Sequence, residues 1–276
     1  MAHTVDAVGL QLVFGELTVR QMRRLERYLA NESAVNQRLR EAENGERLRF
    51  NQLYVKASAI AEQYYCEVKV EMGHTHGRIE TETKRQGSEG HEALQAGSQE
   101  ADRVDILRKI FSGEPMIVHE LPILAGYRDV ILVGQPDAIL FRGGAPLVVF
   151  EYKFSNSPYP YRSYHAQARV YGRILDGAGF DTSDLFYAIA VAPRESRDDE
   201  GLFKRVIEAV NENGPGEANL VVGNTNVYLY EYSQPAAERD IDWALDYWTG
   251  VRGTAPVDNP AKCRSCEYRD KCQGAT

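Results

Sequence analysis

Three side chains in the middle of the chain stand where charge is costly. The run Leu147-Val148-Val149-Phe150-Glu151-Tyr152-Lys153 is apolar enough to form a covered β-strand. Alternation along a strand puts Leu147, Val149, Glu151 and Lys153 on one face and Val148, Phe150 and Tyr152 on the other. A buried Glu and Lys need a partner or a ligand. The preceding β-rich run carries Asp137 and is joined to this strand through Gly143-Gly144, a hairpin signal. A three-residue loop would set Asp137 directly opposite Glu151; a two-residue loop would set it one step off. Facing carboxylates repel, and a hard divalent cation such as Mg²⁺ or Mn²⁺ turns that repulsion into coordination. Lys153, on the same face, can then reach a phosphate oxygen or an attacking water.

Four cysteines are the second reactive group: Cys66, and then Cys263, Cys266 and Cys272 packed into one ten-residue stretch. In a reducing compartment they read as a ligand cluster rather than as disulfides, most simply a three-cysteine zinc knuckle with one unrelated buried cysteine. Gln167 and Tyr171, at i and i+4, share a helical face. Arg162, Arg169 and Arg173 lie on or beside that helix, and Lys84 and Arg85 lie earlier; all five can line a phosphate track. Tyr159, Tyr161 and Tyr164 can stack on unpaired bases. His74 and His76 read as loop residues, and Trp243 and Trp248 as core.

The elements that must position these groups follow from periodicity and punctuation. Thr18 with Gln21 forms a capping-box pattern at the head of a long helix carrying Met22, Leu25, Leu29, Val35 and Leu39, with a break expected near Asn31. A second helix is expected from Glu46 to Val70, a loop from Met72 to Gly77, and a helix from Glu82 to Ala96. Strands are expected over Met116–Leu124, Val130–Phe141 and Pro146–Phe154, then a helix over Tyr164–Leu175 and a strand over Leu185–Val191. A helix over Gly201–Asn211, a strand over Asn219–Tyr232 and a helix over Ala236–Trp248 complete the series. The order predicts an α/β fold with a mixed central sheet flanked by helices. Three regions are expected: a helical region over 1–80 that holds the first cysteine, a core over 81–235, and a helix with the cysteine tail over 236–276.

At 276 residues, 43% hydrophobic and 26% charged, the chain has the composition of a globular protein. Its net charge of −8 argues against a protein that coats nucleic acid non-specifically, but not against an enzyme with a locally basic channel. No secretory signal or membrane span is legible, which predicts a cytoplasmic protein.

Pro136-Asp137, a spacing of fourteen, and Glu151-Tyr152-Lys153 on a hydrophobic hairpin resemble the PD-(D/E)XK nuclease signature. Gly90-His91 ahead of the hairpin and Gln167-Ala168-Arg169-Val170-Tyr171 after it resemble the RecB-like branch. The bracketing of these motifs by one cysteine and then three is similar to its iron-sulfur members, and most to the CRISPR-associated exonucleases (the Cas four family). Here the N-terminal sixty residues are extra to the compact members. The resemblance implies a restriction-endonuclease-like core with an added helical and iron-sulfur part. It implies metal ligation by His91, Asp137, Glu151 and the Tyr152 carbonyl, catalysis by Asp137, Glu151 and Lys153, and DNA contacts from Gln167 and Tyr171. A 4Fe-4S cluster would sit on Cys66, Cys263, Cys266 and Cys272. The activity implied is a Mg²⁺- or Mn²⁺-dependent DNA exonuclease acting on single strands or overhangs, with trimming of new spacers beside a CRISPR integrase as its setting. The alternatives are a repair or recombination nuclease working with a helicase, and an iron-sulfur protein that binds nucleic acid without cutting it.

Overall fold

A computed structural model describes residues 17–43, 45, 47–77, 79, 103–199, 201–214, 216–257, 259–264 and 266–272. Helix α1 (Val19–Ala42) opens at Thr18, whose hydroxyl accepts from the Gln21 amide while the Gln21 side chain accepts from the Thr18 amide. It runs through Asn31 unbroken, because Leu25, Tyr28 and Val35 bury one continuous stripe on both sides of that residue.

The expected second helix is instead several pieces: strand β1 (Val55–Lys56), α2 (Ala57–Tyr65) and α3 (Glu67–His76). Cys66, with extended backbone at φ −171°, separates the last two. His74 and His76 therefore end a helix rather than lie in a loop, and the His74 ring stacks on Phe50 at 4.4 Å. Helix α4 (Arg103–Ser112) was not legible from the sequence pattern; the expected Glu82–Ala96 helix lies outside the described residues.

Two expected strands are each two strands. The chain runs β2 (Met116–His119), β3 (Ile123–Tyr127), β4 (Val130–Gly134) and β5 (Ala138–Arg142), followed by β6 (Ala145–Phe154). His119 pairs with Ala138 and Ile123 with Gly134, so one register runs through a long hairpin that is interrupted in its middle. Pro122 and Pro136 cannot donate to a ladder, Glu120 takes a left-handed φ of 49°, and the Glu120 amide donates to the Asp137 carbonyl across the break. The outer half joins β1 in a three-stranded sheet, β1-β4-β3. The inner half enters the central six-stranded mixed sheet, β2-β5-β6-β7-β9-β8.

The rest of that sheet is β7 (Phe186–Ala192), parallel to β6, with β8 (Ala218–Val222) and β9 (Thr225–Glu231). The strand expected over 219–232 is thus a hairpin turned at Gly223-Asn224. Helices α5 (Arg162–Ala178) and α7 (Gln234–Trp248) share one apolar core with α1, α2 and one sheet face, through Leu25, Ile60, Val149, Ile174 and Trp248. Helix α6 (Leu202–Asn213) covers the other face through Phe203, Val206 and Val210. Among the described residues no helix is long and apolar enough to cross a membrane.

Arg252, just beyond α7, makes a bidentate pair with Glu67 at 2.5 and 2.7 Å, and the Ala255 amide adds a third bond to that carboxylate. Glu67 is 1% exposed. Burial works against its charge, but these bonds outweigh it and hold the carboxyl below its usual range. The pair therefore stabilises above the unfolded glutamate pKa near 4.3 and fades as pH falls through the lower folded value. Arg252→Ala is expected to cost about 3 kcal/mol in chemical denaturation at pH 7, because it strands a buried charge. Glu67→Gln in the same background should recover part of the loss; no recovery would show that Arg252 acts through packing alone.

Candidate active site and cysteine pocket

The β5–β6 hairpin settles how Asp137 meets Glu151. Its turn has two residues, Gly143 and Gly144, both at positive φ (61° and 75°) as a tight hairpin requires. Arg24 of α1 fixes both turn carbonyls, donating to Gly143 O at 2.8 Å and Gly144 O at 2.7 Å. By itself this turn would leave Asp137 one step off. A bulge follows, however: Phe141 pairs with Pro146 and Leu140 with Val148, leaving Leu147 as an extra residue. The shift restores Ala138 opposite Phe150, which brings Asp137, the residue just before β5, to the Glu151–Tyr152 end of β6. It also moves Leu147 onto the Val148–Phe150 face, against the simple alternation expected from sequence.

Asp137, Glu151 and Lys153 thus share the face that α5 covers. Glu151, only 2% exposed, is ion-paired to Lys153. Asp137 Oδ2 accepts from the Tyr152 amide at 2.6 Å. The Tyr152 ring turns to the opposite face and stacks on Phe203, so only its backbone belongs to the site. From α5, Gln167 Oε1 accepts from Lys153 Nζ at 3.4 Å, and Gln167 Nε2 donates to the Tyr171 hydroxyl at 2.7 Å. That hydroxyl donates to Gln135 O at 3.2 Å, at the hairpin break. Gln167 and Tyr171 therefore join Lys153 to the segment that carries Asp137.

The electrostatics are those of a site short of positive charge. Burial pushes the Asp137 carboxyl up to about 6, and nearby Glu120 pushes it the same way; Lys153 and the Tyr152 amide oppose them. Burial disfavours the Lys153 ammonium, but Glu151 and Asp137 outweigh it and keep its pKa above normal. Glu120 was not singled out from sequence. The two prolines beside it and beside Asp137 were the available signal, since they mark where the ladder breaks and brings this third acid near. His91 lies outside the described residues. Two oxygen-donor carboxylates from adjacent strands, with an amide and an ammonium alongside, suit a hard divalent cation.

Of the expected phosphate track, Arg169 is ion-paired with Asp240 at 2.6 Å, and Arg173 with Asp176 and Glu238. Arg162 remains exposed at the head of α5, while Lys84 and Arg85 lie outside the described residues. Trp248 is buried as expected; Trp243, at 36% exposure, instead packs at a tilt against the Tyr64 ring.

Cys66, Cys263, Cys266 and Cys272 are all free thiols and line one small pocket with Tyr65, Val68, Met72 and Tyr268. Lys262 donates to the carbonyls of Tyr64 and Tyr65, and the Tyr268 hydroxyl donates to Gly77 O, tying the cysteine segment to α2 and α3. Burial pushes the Cys266 thiol up, and Cys66 adds to the shift. Among the described residues no three His, Cys, Asp or Glu side chains close into a ready-made metal site. The thiols therefore share a pocket without forming a finished ligand sphere. Four soft donors in a shell of apolar side chains and the basic Lys69, Lys262 and Arg269 nonetheless suit a thiophilic metal or cluster.

A family model described as the PD-(D/E)XK nuclease superfamily matches residues 10–273. No curated protein matches the chain. A solved structure titled "Crystal structure of SSO0001" is similar over 89% of this chain and 96% of that one, at 12% identity and a TM-score of 0.46.

Proposed function

The chain belongs to the PD-(D/E)XK nuclease superfamily, and from that premise we propose that it is a Mg²⁺- or Mn²⁺-dependent deoxyribonuclease that trims single strands or overhangs. The observation that carries this reading is the gathering of Asp137, whose carboxylate accepts from the Tyr152 amide, with buried Glu151 ion-paired to Lys153. In it Asp137, Glu151 and the Tyr152 carbonyl would hold the cation, and the family resemblance adds His91, outside the described residues, as a further ligand. Bound there, a divalent cation would supply Lewis acidity for the attacking water and for the phosphoryl oxygens. Lys153, held by Gln167, places an ammonium where the phosphoryl oxygens gain charge. Tyr171 keeps Gln167 in register with Gln135. We also propose that the four cysteines carry a 4Fe-4S cluster that fastens the cysteine segment to α2 and α3.

End-labelled single-stranded and duplex DNA, incubated with Mg²⁺ or Mn²⁺ and with Asp137→Ala and Lys153→Met as controls, tests the reading. Metal-dependent shortening by the wild type, lost in both variants, supports it. Cleavage that survives Asp137→Ala overturns it.

Gly134 offers a subtler check. A Cβ there would lie 2.7 and 2.8 Å from Tyr171 ring carbons, and Tyr171, 3% exposed, has nowhere to retreat. Gly134→Ala is expected to cost about 1–3 kcal/mol of stability by overpacking. It should also lower kcat roughly tenfold by shifting Gln167 off Lys153. An unchanged kcat would show that Tyr171 does not govern the lysine.

A further inference from the structure

A row of aromatic rings leads from the catalytic lysine to solvent. Lys153 Nζ lies 5.4 Å from the centroid of the Tyr164 ring. Tyr164 in turn meets Tyr161 edge-on at 5.3 Å between centroids and 74° between planes. Tyr161 is 51% exposed and its neighbour Tyr159 is 68% exposed, two of the few large hydrophobic side chains that the described surface leaves open. Such exposure has no value for folding, since ring area left in water contributes nothing to the core.

Arg162 and a helix N-terminus also lie at this place, in a chain whose net charge is −8. Tyr161 is the N-cap residue of α5, a helix of 17 residues with no acidic residue in its first turn and no side chain capping its amides. The positive end of that helix, where only the Tyr164 and His165 amides are taken up by the Tyr161 carbonyl, lies beside exposed Arg162. Arg162 stacks over the Tyr64 ring at 4.7 Å, which steers the guanidinium without neutralising it. A ring that offers a flat face, next to a guanidinium and a helix N-terminus, matches one ligand chemistry: a nucleobase joined to a phosphate. Bases inside a duplex keep their faces covered, so only an unpaired one can use the ring.

We propose that Tyr161 stacks on an unpaired base of the substrate strand within a nucleotide or two of the scissile phosphate. A flanking phosphate sits at Arg162 and the head of α5. This rests on the nuclease reading and adds the residue that makes the enzyme choose unpaired over paired substrate. Tyr161 acts as a specificity residue: it positions the strand and takes no part in the bond change.

The test compares wild type with Tyr161→Ala, Tyr161→Phe and Tyr161→Trp, all checked for equal melting temperature. One arm measures kcat/KM on a single strand and on the same sequence as a blunt duplex. The other places 2-aminopurine at successive positions of the single strand and follows fluorescence quenching in Ca²⁺, without turnover. Loss of one stacked base is worth roughly a five- to hundredfold drop on the single strand for Tyr161→Ala. That drop should fall mostly on KM and move the single-strand-to-duplex ratio toward one, while Phe and Trp retain the ratio. Quenching confined to one position in the wild type should vanish in Tyr161→Ala. An equal loss on both substrates, or failure of Phe and Trp alongside Ala, overturns the proposal and leaves the nuclease reading standing. Should the wild type cut neither substrate, the nuclease reading falls, and position-specific quenching that depends on Tyr161 decides the stacking site alone.

Discussion

Asp137→Asn is expected to remove metal-dependent cleavage by a factor of about 10³ or more while making the metal-free protein more stable. Both effects follow from one cause. The amide keeps the shape of the side chain but loses the charge that a divalent ion requires, so transition-state stabilisation at the phosphate is lost. In the metal-free fold, however, that charge is a burden. Burial and Glu120 raise the Asp137 carboxyl to about 6, above its unfolded value near 3.9. A raised acid pKa means that the fold prefers the proton. This group therefore destabilises above about pH 6, and the penalty is relieved as pH falls toward 4. With chelator at pH 7.5, Asp137→Asn should gain about 1 kcal/mol and lose the wild type's rise in stability between pH 7.5 and 5. Added Mn²⁺ should raise the melting temperature of the wild type and not of the variant. A wild type that melts below the variant even in saturating Mn²⁺ would show that the carboxylate does not hold the ion.

Replacing any one of Cys66, Cys263, Cys266 or Cys272 with alanine should have a comparably large effect on the fold. Anaerobically purified wild type should be brown and hold roughly four iron and four sulfide per chain. Each single variant should lose most of the metal and melt about 10 °C lower, the shift that a loss of a few kcal/mol produces in a domain of this size. Stoichiometric zinc in place of iron would overturn the cluster while keeping the pocket as a metal site. Unchanged melting in all four variants would overturn both. Cleavage is the discriminating control: the cysteine variants should keep metal-dependent activity at low temperature, where they remain folded, whereas Asp137→Asn should not.

The hairpin was legible because its signals are local. Gly143-Gly144 marks the turn, and the apolar run ending in Glu151-Tyr152-Lys153 marks the covered strand. The bulge was not legible, since nothing in Pro146-Leu147-Val148 shows which residue the partner strand will skip; that depends on Phe141 and Pro146 meeting across the sheet. The break at Glu120–Pro122 was also missed, although Pro122 and Pro136 were in view. Each proline alone suggests an edge or a bend, and only the shared register of the flanking pairs, His119 with Ala138 and Ile123 with Gly134, reveals one long hairpin that changes sheets. Capping was legible at Thr18 for the same local reason. The split of the second helix at Cys66 reflects a tertiary demand, since the cysteine meets a segment almost two hundred residues away.

That separation has a bearing on how the chain is made. Glu67 leaves the ribosome early, but Arg252, which neutralises it, follows 185 residues later, and Trp248, whose indole donates to Gln63 at 2.7 Å, follows that glutamine by the same 185. Until then a nascent chain cannot bury this part of α2 and α3 without a lone charge inside it, so closure of the helical layer has to wait for nearly the whole message to be read. Products of premature termination inside α7 would therefore present an open apolar seam to chaperones and proteases.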